Sequence, residues 1–221
     1  MADAVADLIG ALMCPAICFG IVAFFAVIAV IGFFFRNRAV NDCNDKMKAF
    51  CAMTGLTFNE NKSFRGTVTG NYNGHEAEMG YFSREYSHGR DRQGFQRTRT
   101  KLFFYAHILA PKIGAYRLGL SKEGIWSGLG KAVGITKEVE IGVPDFDSRY
   151  VINSEDAART KRLLQPEARK AVDVLVTELR YGLSIGDNKV YVEREASGVG
   201  PAEMQKIADA LAVLADAAEA G

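Results

Sequence analysis

The sequence predicts an α+β protein, an N-terminal transmembrane helix and stalk followed by one domain of antiparallel strands and hairpins packed with about four helices. Three observations carry this expectation. Residues 8–35 contain no formal charge. Two segments alternate apolar and polar residues around turns, Asn73-Gly74 in one and Gly186-Asp187-Asn188-Lys189 in the other. Two segments opened by Pro166 and Pro201 place apolar residues at spacings of three and four. The composition agrees: 221 residues, 48% apolar and 24% charged with a formal net charge of +1, describe a folded chain rather than a disordered or fibrous one.

The uncharged run, residues 8–35, exceeds the roughly 20 apolar residues that cross a hydrocarbon core of about 30 Å. As a helix it reaches about 42 Å, so it tilts or leaves its first turns, near Pro15, in the interface. A cleaved signal peptide needs a basic start and a shorter apolar centre, whereas this chain begins with Asp3 and Asp7. Cys14 follows Leu12-Met13 rather than a small residue, which argues against lipidation. Arg36 and Arg38 follow the span, with Lys46 and Lys48 behind them. Basic residues stay on the cytoplasmic side, so the N-terminus is expected outside and the bulk of the chain in the cytoplasm, against the inner membrane. Cys43 and Cys51, just after the span, fit that reducing compartment, and Cys14-x-x-x-Cys18 inside the span lacks the companions of a metal set.

The expected domains are 1–35 for tail and span, 36–55 for a juxtamembrane amphipathic helix, and 56–221 for the cytoplasmic α+β domain. Val40, Cys43, Met47, Phe50 and Cys51 supply the apolar stripe of the stalk, which needs a surface to lie against, and Gly55 ends it. The first hairpin then pairs Tyr72 with His75, Gly70 with Ala77, Val68 with Met79 and Gly66 with Tyr81 around a type I′ turn, leaving His75 as a rim residue. Residues 87–94 read as a polar loop leading to a strand over 95–110. A short strand at Tyr116, Leu118 and Leu120 precedes a helix over 122–133. Further strands are expected at 139–143 and 149–152, with a helix capped by Asn153 or Ser154. From Pro166 a helix buries Ala168, Val172, Leu175, Val176 and Leu179 and stops at Gly182; a second hairpin joins 183–185 to 190–192. The last helix turns Met204, Ile207, Leu211, Leu214 and Ala218 inward.

Near-neutral overall charge removes any whole-protein attraction to polyanions, so nucleic acid is not an expected partner. One local concentration of cations stands out: Arg84, Arg90, Arg92, Arg97, Arg99 and Lys101, against Glu85 and Asp91 over the same stretch. Three explanations compete. The cations form a solvated strand face, partly neutralised across the sheet by Glu76 and Glu78; they contact an anionic surface such as lipid headgroups; or, with Tyr81, Phe82, Tyr86 and Phe95 interleaved among them, they meet nucleic acid, for which no RNP-type motif or zinc spacing accompanies them.

The search for chemistry is sparse. Gly128-Leu-Gly-Lys-Ala-Val-Gly134 fails as a phosphate loop, since Ile125 and Ala132 stand where Gly and Ser or Thr are required, and it fails as a dinucleotide fingerprint at Val133. No His-Glu-x-x-His or Cys-x-x-Cys occurs, and no catalytic residue, cofactor or metal is assigned. The acids Asp145, Asp147, Glu155 and Asp156 have turn and cap roles open to them, and His107 lies in an apolar strand.

The segment Val139-Glu-Ile-Gly-Val-Pro-Asp-Phe-Asp-Ser-Arg-Tyr-Val-Ile-Asn-Ser-Glu-Asp156, with Leu164-Gln-Pro166 and the hairpin at 185–192, resembles the signature of a family of uncharacterised bacterial membrane-anchored proteins built on a domain of unknown function. That signature runs as an acidic-Pro-x-Phe-acidic turn, a strand, a Ser-x-Asp helix start and a Leu-x-Pro helix start; Val143 departs from it before Pro144. The resemblance implies fold and anchoring and no activity. The expected function is a non-catalytic binding or scaffold protein held at the bilayer, with a protein partner, a second copy or the membrane surface as its target. The alternatives are a structural subunit of a larger membrane complex, or a tethered hydrolase or transferase using Asp145, Asp147, Asp156 and His107.

Overall fold

Apolar residues on every side of a helix leave it no polar face to turn to water, and that is the character of the first element. The computed structural model describes residues 2–61, 65–90, 96–122, 137–196 and 198–220. Helix α1 runs from Ala2 to Thr54. Phe24, Phe25, Val27, Ile28, Val30, Ile31 and Phe33 to Phe35 are all exposed, around the full circumference. Among the described residues this is one helix long and apolar enough to cross a membrane.

The chain divides into two compact units, Met1–Asp42 and Cys43–Gly221. The last turns of α1 therefore belong to the second unit, where Cys43, Met47, Phe50 and Cys51 are buried in the core. The surface that the stalk stripe needs is its own domain. Gly55 closes the helix at φ 75°, and its N–H bonds to the Cys51 carbonyl.

The second unit is built on one antiparallel sheet of eight strands. In chain order they are β1 (Thr57–Asn59), β2 (Thr67–Tyr72), β3 (His75–Arg90), β4 (Gln96–Leu109), β5 (Leu118–Lys122), β6 (Tyr150–Ser154), β7 (Gly182–Gly186) and β8 (Lys189–Glu195). Across the sheet the order is β1-β2-β3-β4-β8-β7-β5-β6. Helix α2 is Pro144–Asp147, α3 Ala157–Leu163, α4 Pro166–Val172 with a π-helical extension Asp173–Glu178, and α5 Pro201–Ala220. Alternation decides the faces. Val68, Met79, Phe104, Ile108, Val192, Leu183, Leu120 and Ile152 point inward, where the stripes of α4 and α5 cover them, Leu175, Met204, Ile207, Leu211 and Leu214 among them.

Both hairpins form at the expected turns. Tyr72 pairs with His75, Gly70 with Ala77 and Val68 with Met79, and Asn73 and Gly74 both take positive φ. The expected Gly66–Tyr81 pair does not form; the Gly66 N–H bonds instead to Asn44 Oδ1 on α1, and the Phe58 ring occupies the space above its Cα. The second turn narrows to Asp187-Asn188, again with two positive φ values.

Other boundaries move for identifiable reasons. Strand β3 continues to Arg90 through a bulge beyond Ser87, absorbing the first half of the expected loop. Residues 139–143 form no strand beyond a bridge at Glu138, because the Asp147 carboxylate collects the N–H groups of Ile141, Gly142 and Val143 and bends the chain. Asn153 and Ser154 stay in β6, and α3 is capped by Asp156, which accepts from the Arg159 N–H at 2.9 Å. The helix from Pro166 ends at Glu178, four residues before Gly182, with Arg180 at φ 61° making the reversal and Gly182 opening β7. The expected helix over 122–133 lies outside the described residues, apart from Lys122, which ends β5.

If the end of α1 is part of the domain core, Phe50→Ala should cost about 3–5 kcal/mol, while Met53→Ala, at an exposed position of the same turn, should stay within about 0.5 kcal/mol. Urea unfolding of the detergent-solubilised chain, followed by circular dichroism, measures both.

Candidate functional site

The inward residues of β3, β4 and β8 are spent on the core, which leaves every second residue to the other face. In register this gives Arg84 beside Lys101, then a row of Phe82, Phe103 and Glu195, a row of Gly80, Tyr105 and Glu193, and a row of Glu78, His107 and Tyr191. The sequence marks these positions by period two alone, Lys101-Phe103-Tyr105-His107 on β4 and Tyr191-Glu193-Glu195 on β8.

Aromatic rings shield the backbone here. Phe82 stacks on Phe103 with centroids 5.4 Å apart, Tyr105 lies 6.4 Å from Tyr191, and His107 is nearly parallel to Tyr105. Gly80 admits the Tyr105 ring directly over its Cα; a Cβ there would meet Tyr105 Cε1 and Oη at 3.0 Å.

Two expected site residues belong to this layer, and both are engaged. The Arg84 guanidinium covers the faces of Phe82 and Phe103 and grips Glu193 through two parallel bonds of 3.1 Å. Lys101 bonds to Glu195 at 2.6 Å. The acids that balance these cations come from β8, not from Glu76 and Glu78; Glu78 instead accepts the Tyr105 hydroxyl at 2.6 Å. Sequence reading missed Glu193 and Glu195 because β8 lies far along the chain, although the alternation Tyr191-Glu193-Glu195 carried the signal. Burial and the Glu78 bond push the Tyr105 hydroxyl up, and burial with the Glu193 bond does the same to Tyr191, so both remain donors at neutral pH.

Arg99 is different. It is exposed and has no ion-pair partner among the described residues. Beside it opens a groove of about 640 Å³ between β4 at Arg99, Thr100, Lys101 and Leu102 and the exit of β8 at Glu195, Ala196 and Gly198. Arg194 at its floor is held by Glu203 at 2.7 Å and by the Leu179 carbonyl, with its guanidinium over Tyr181. The side chains of Arg90 and Arg97, all of Arg92, and the side chain of Arg36 lie outside the described residues; Arg38 is exposed on α1.

The acid and base residues of the hydrolytic alternative are not brought together. His107 sits on β4, and β8, β7 and β5 stand between it and β6, roughly 19 Å at normal strand spacing. Asp147 is occupied by three backbone N–H groups, Asp156 caps α3, and Asp145 is exposed. Gly182-Leu183-Ser184-Ile185-Gly186, read from the sequence only as part of the second hairpin and passed over as a Gly-x-Ser-x-Gly match, has the spacing of a nucleophile elbow. Its serine nevertheless lies inside β7, paired with Tyr191 and Gly119, and not at a strand-to-helix turn. Among the described residues no cluster of His, Cys, Asp and Glu could hold a metal ion. His75 bonds to Asp216 at 2.8 Å on α5, a rim contact.

No protein-family model and no curated protein matches this sequence. Among solved structures, the crystal structure of the mycobacterial trehalose monomycolate transport factor A matches with a TM-score of 0.54 at 7% identity, covering 80% of this chain and 94% of that one. At that identity the likeness is one of fold.

Burial holds the His107 imidazole below its ordinary value of 6.5, with Lys189 adding to the effect and Glu78 opposing it. The unfolded chain therefore takes up a proton at this site first as pH falls, so the contribution of neutral His107 is complete above about pH 7.5 and declines through 6.5 towards the lower folded value. The urea midpoint should fall between about pH 7.5 and pH 5.5, and His107→Asn should shrink that fall.

Proposed function

We propose that this chain is a single-pass inner-membrane protein with its N-terminus outside, whose cytoplasmic domain works without catalysis by holding a protein partner at the bilayer. One observation carries the reading: a helix exposing apolar residues on all sides leads into a domain in which Arg84, Lys101, Asp147 and Asp156 are committed to ion pairing, turn formation and capping. The charge flanks support the orientation, Asp3 and Asp7 before the span and Arg36 and Arg38 after it. The fold counterpart, named a transport factor, is in keeping with an accessory role. Arg84 and Lys101 already have protein carboxylates, which favours a protein partner over a lipid surface as the target of this face.

In cell fractionation the full-length chain should sediment with membranes and resist an alkaline carbonate wash. In sealed right-side-out vesicles the domain should survive added protease until detergent is present. Recovery in the high-speed supernatant overturns the anchoring, and digestion from outside overturns the orientation.

A further inference from the structure

Strands β3 and β4 outrun their neighbours. The β2 ladder stops at the Val68–Met79 pair and the β8 ladder at Phe103–Glu195, where Ala196 leaves the sheet after donating its N–H to the Leu102 carbonyl. From Lys101 back to Gln96, β4 pairs with β3 alone among the described residues. In an antiparallel ladder the backbone groups of alternate residues face opposite neighbours. Leu102 faces β8, so Thr100 and Thr98 direct their N–H and C=O groups to the same side, where no described strand receives them. Thr98, Arg99 and Thr100 are all exposed. The groove of about 640 Å³ runs along this edge, in line with the strand that β8 has vacated.

We infer that the edge of β4 at Thr98 and Thr100 is a strand-addition site for an extended segment of another protein carrying acidic residues at alternate positions. The backbone groups give affinity irrespective of sequence, and the side chains select. Arg99 and Lys101 stand on one face of the added strand; Lys101 is shared with Glu195, whereas Arg99 has no ion-pair partner among the described residues, so an acidic residue of the incoming segment gains most beside Arg99. Thr100 and Leu102 lie on the other face with Ala196, which suits small or β-branched residues. A second copy of this chain is a poor occupant: β4 against β4 brings cations opposite cations. Cations on an open edge also deter pairing between copies, and what distinguishes recruitment from that guard is whether an acidic strand is accepted. The inference rests on the non-catalytic binding role and is independent of membrane attachment.

The test uses the full chain in nanodiscs of uncharged lipid and a fluorescent ten-residue peptide alternating glutamate with valine, with a lysine-valine peptide as control. The glutamate peptide should bind and the lysine peptide should not, and hydrogen exchange at the Thr98 and Thr100 amides should slow on binding. Arg99→Glu should weaken binding about tenfold, as should Thr100→Pro, which removes the edge N–H. Hydrogen exchange on the unaltered chain stands independently of how well the proline variant folds. The inference is overturned if the glutamate peptide fails to bind, which marks the cations as an edge guard only. Amides already protected in the free chain, or unchanged by the peptide, overturn it as well. So does binding to anionic vesicles that is lost with Arg99→Glu while the peptide is ignored, which assigns the charge to lipid.

Discussion

A single antiparallel sheet has two faces to withdraw from water, and the described helices of this chain cover one of them. The other face is closed by its own side chains. Rings from Phe82, Phe103, Tyr105 and Tyr191 lie flat over the strands, and the charged groups between them pair across three strands through Arg84–Glu193 and Lys101–Glu195. Each surface ion pair contributes little by itself. Here the guanidinium also covers two aromatic rings, so its apolar contact and its fork on Glu193 reinforce each other. That layer commits Arg84 and Lys101 of the basic stretch to carboxylates of β8.

The same arrangement separates an enclosed part from an open edge along one hairpin. Near its base, β4 is enclosed by β3 and β8 and carries Phe104, Ala106 and Ile108 into the core. Towards its tip it keeps only one neighbour among the described residues. A change at the base disturbs packing throughout the domain, whereas a change at the tip alters an edge.

Local signals in the sequence located local structure well. Asn73-Gly74 sets the register of its hairpin because two consecutive positive φ values favour one turn type, and the stripes after Pro166 and Pro201 found the buried faces of their helices. What the sequence concealed depended on residues distant along the chain or on one side chain overriding its neighbours. Val139-Glu-Ile-Gly-Val143 alternates like a strand, yet the Asp147 carboxylate claims three of its N–H groups. Glu76 and Glu78 are the acids that sequence reading sets across the sheet from the basic strand, but β8 supplies the carboxylates that Arg84 and Lys101 meet. The candidate groove was invisible to sequence reading because it arises where one strand stops and another continues.

The burial of Cys43, Met47 and Phe50 bears on where this chain can be divided. A version that starts after Gly55, at the joint between stalk and domain that the sequence suggests, would discard four core side chains, Cys51 included, and expose the apolar surface they cover. The break between the two compact units falls at Asp42. A truncation opening between Arg36 and Asp42 removes the greasy residues while sparing the core, so the working limit of the folded unit lies inside a helix rather than at its end.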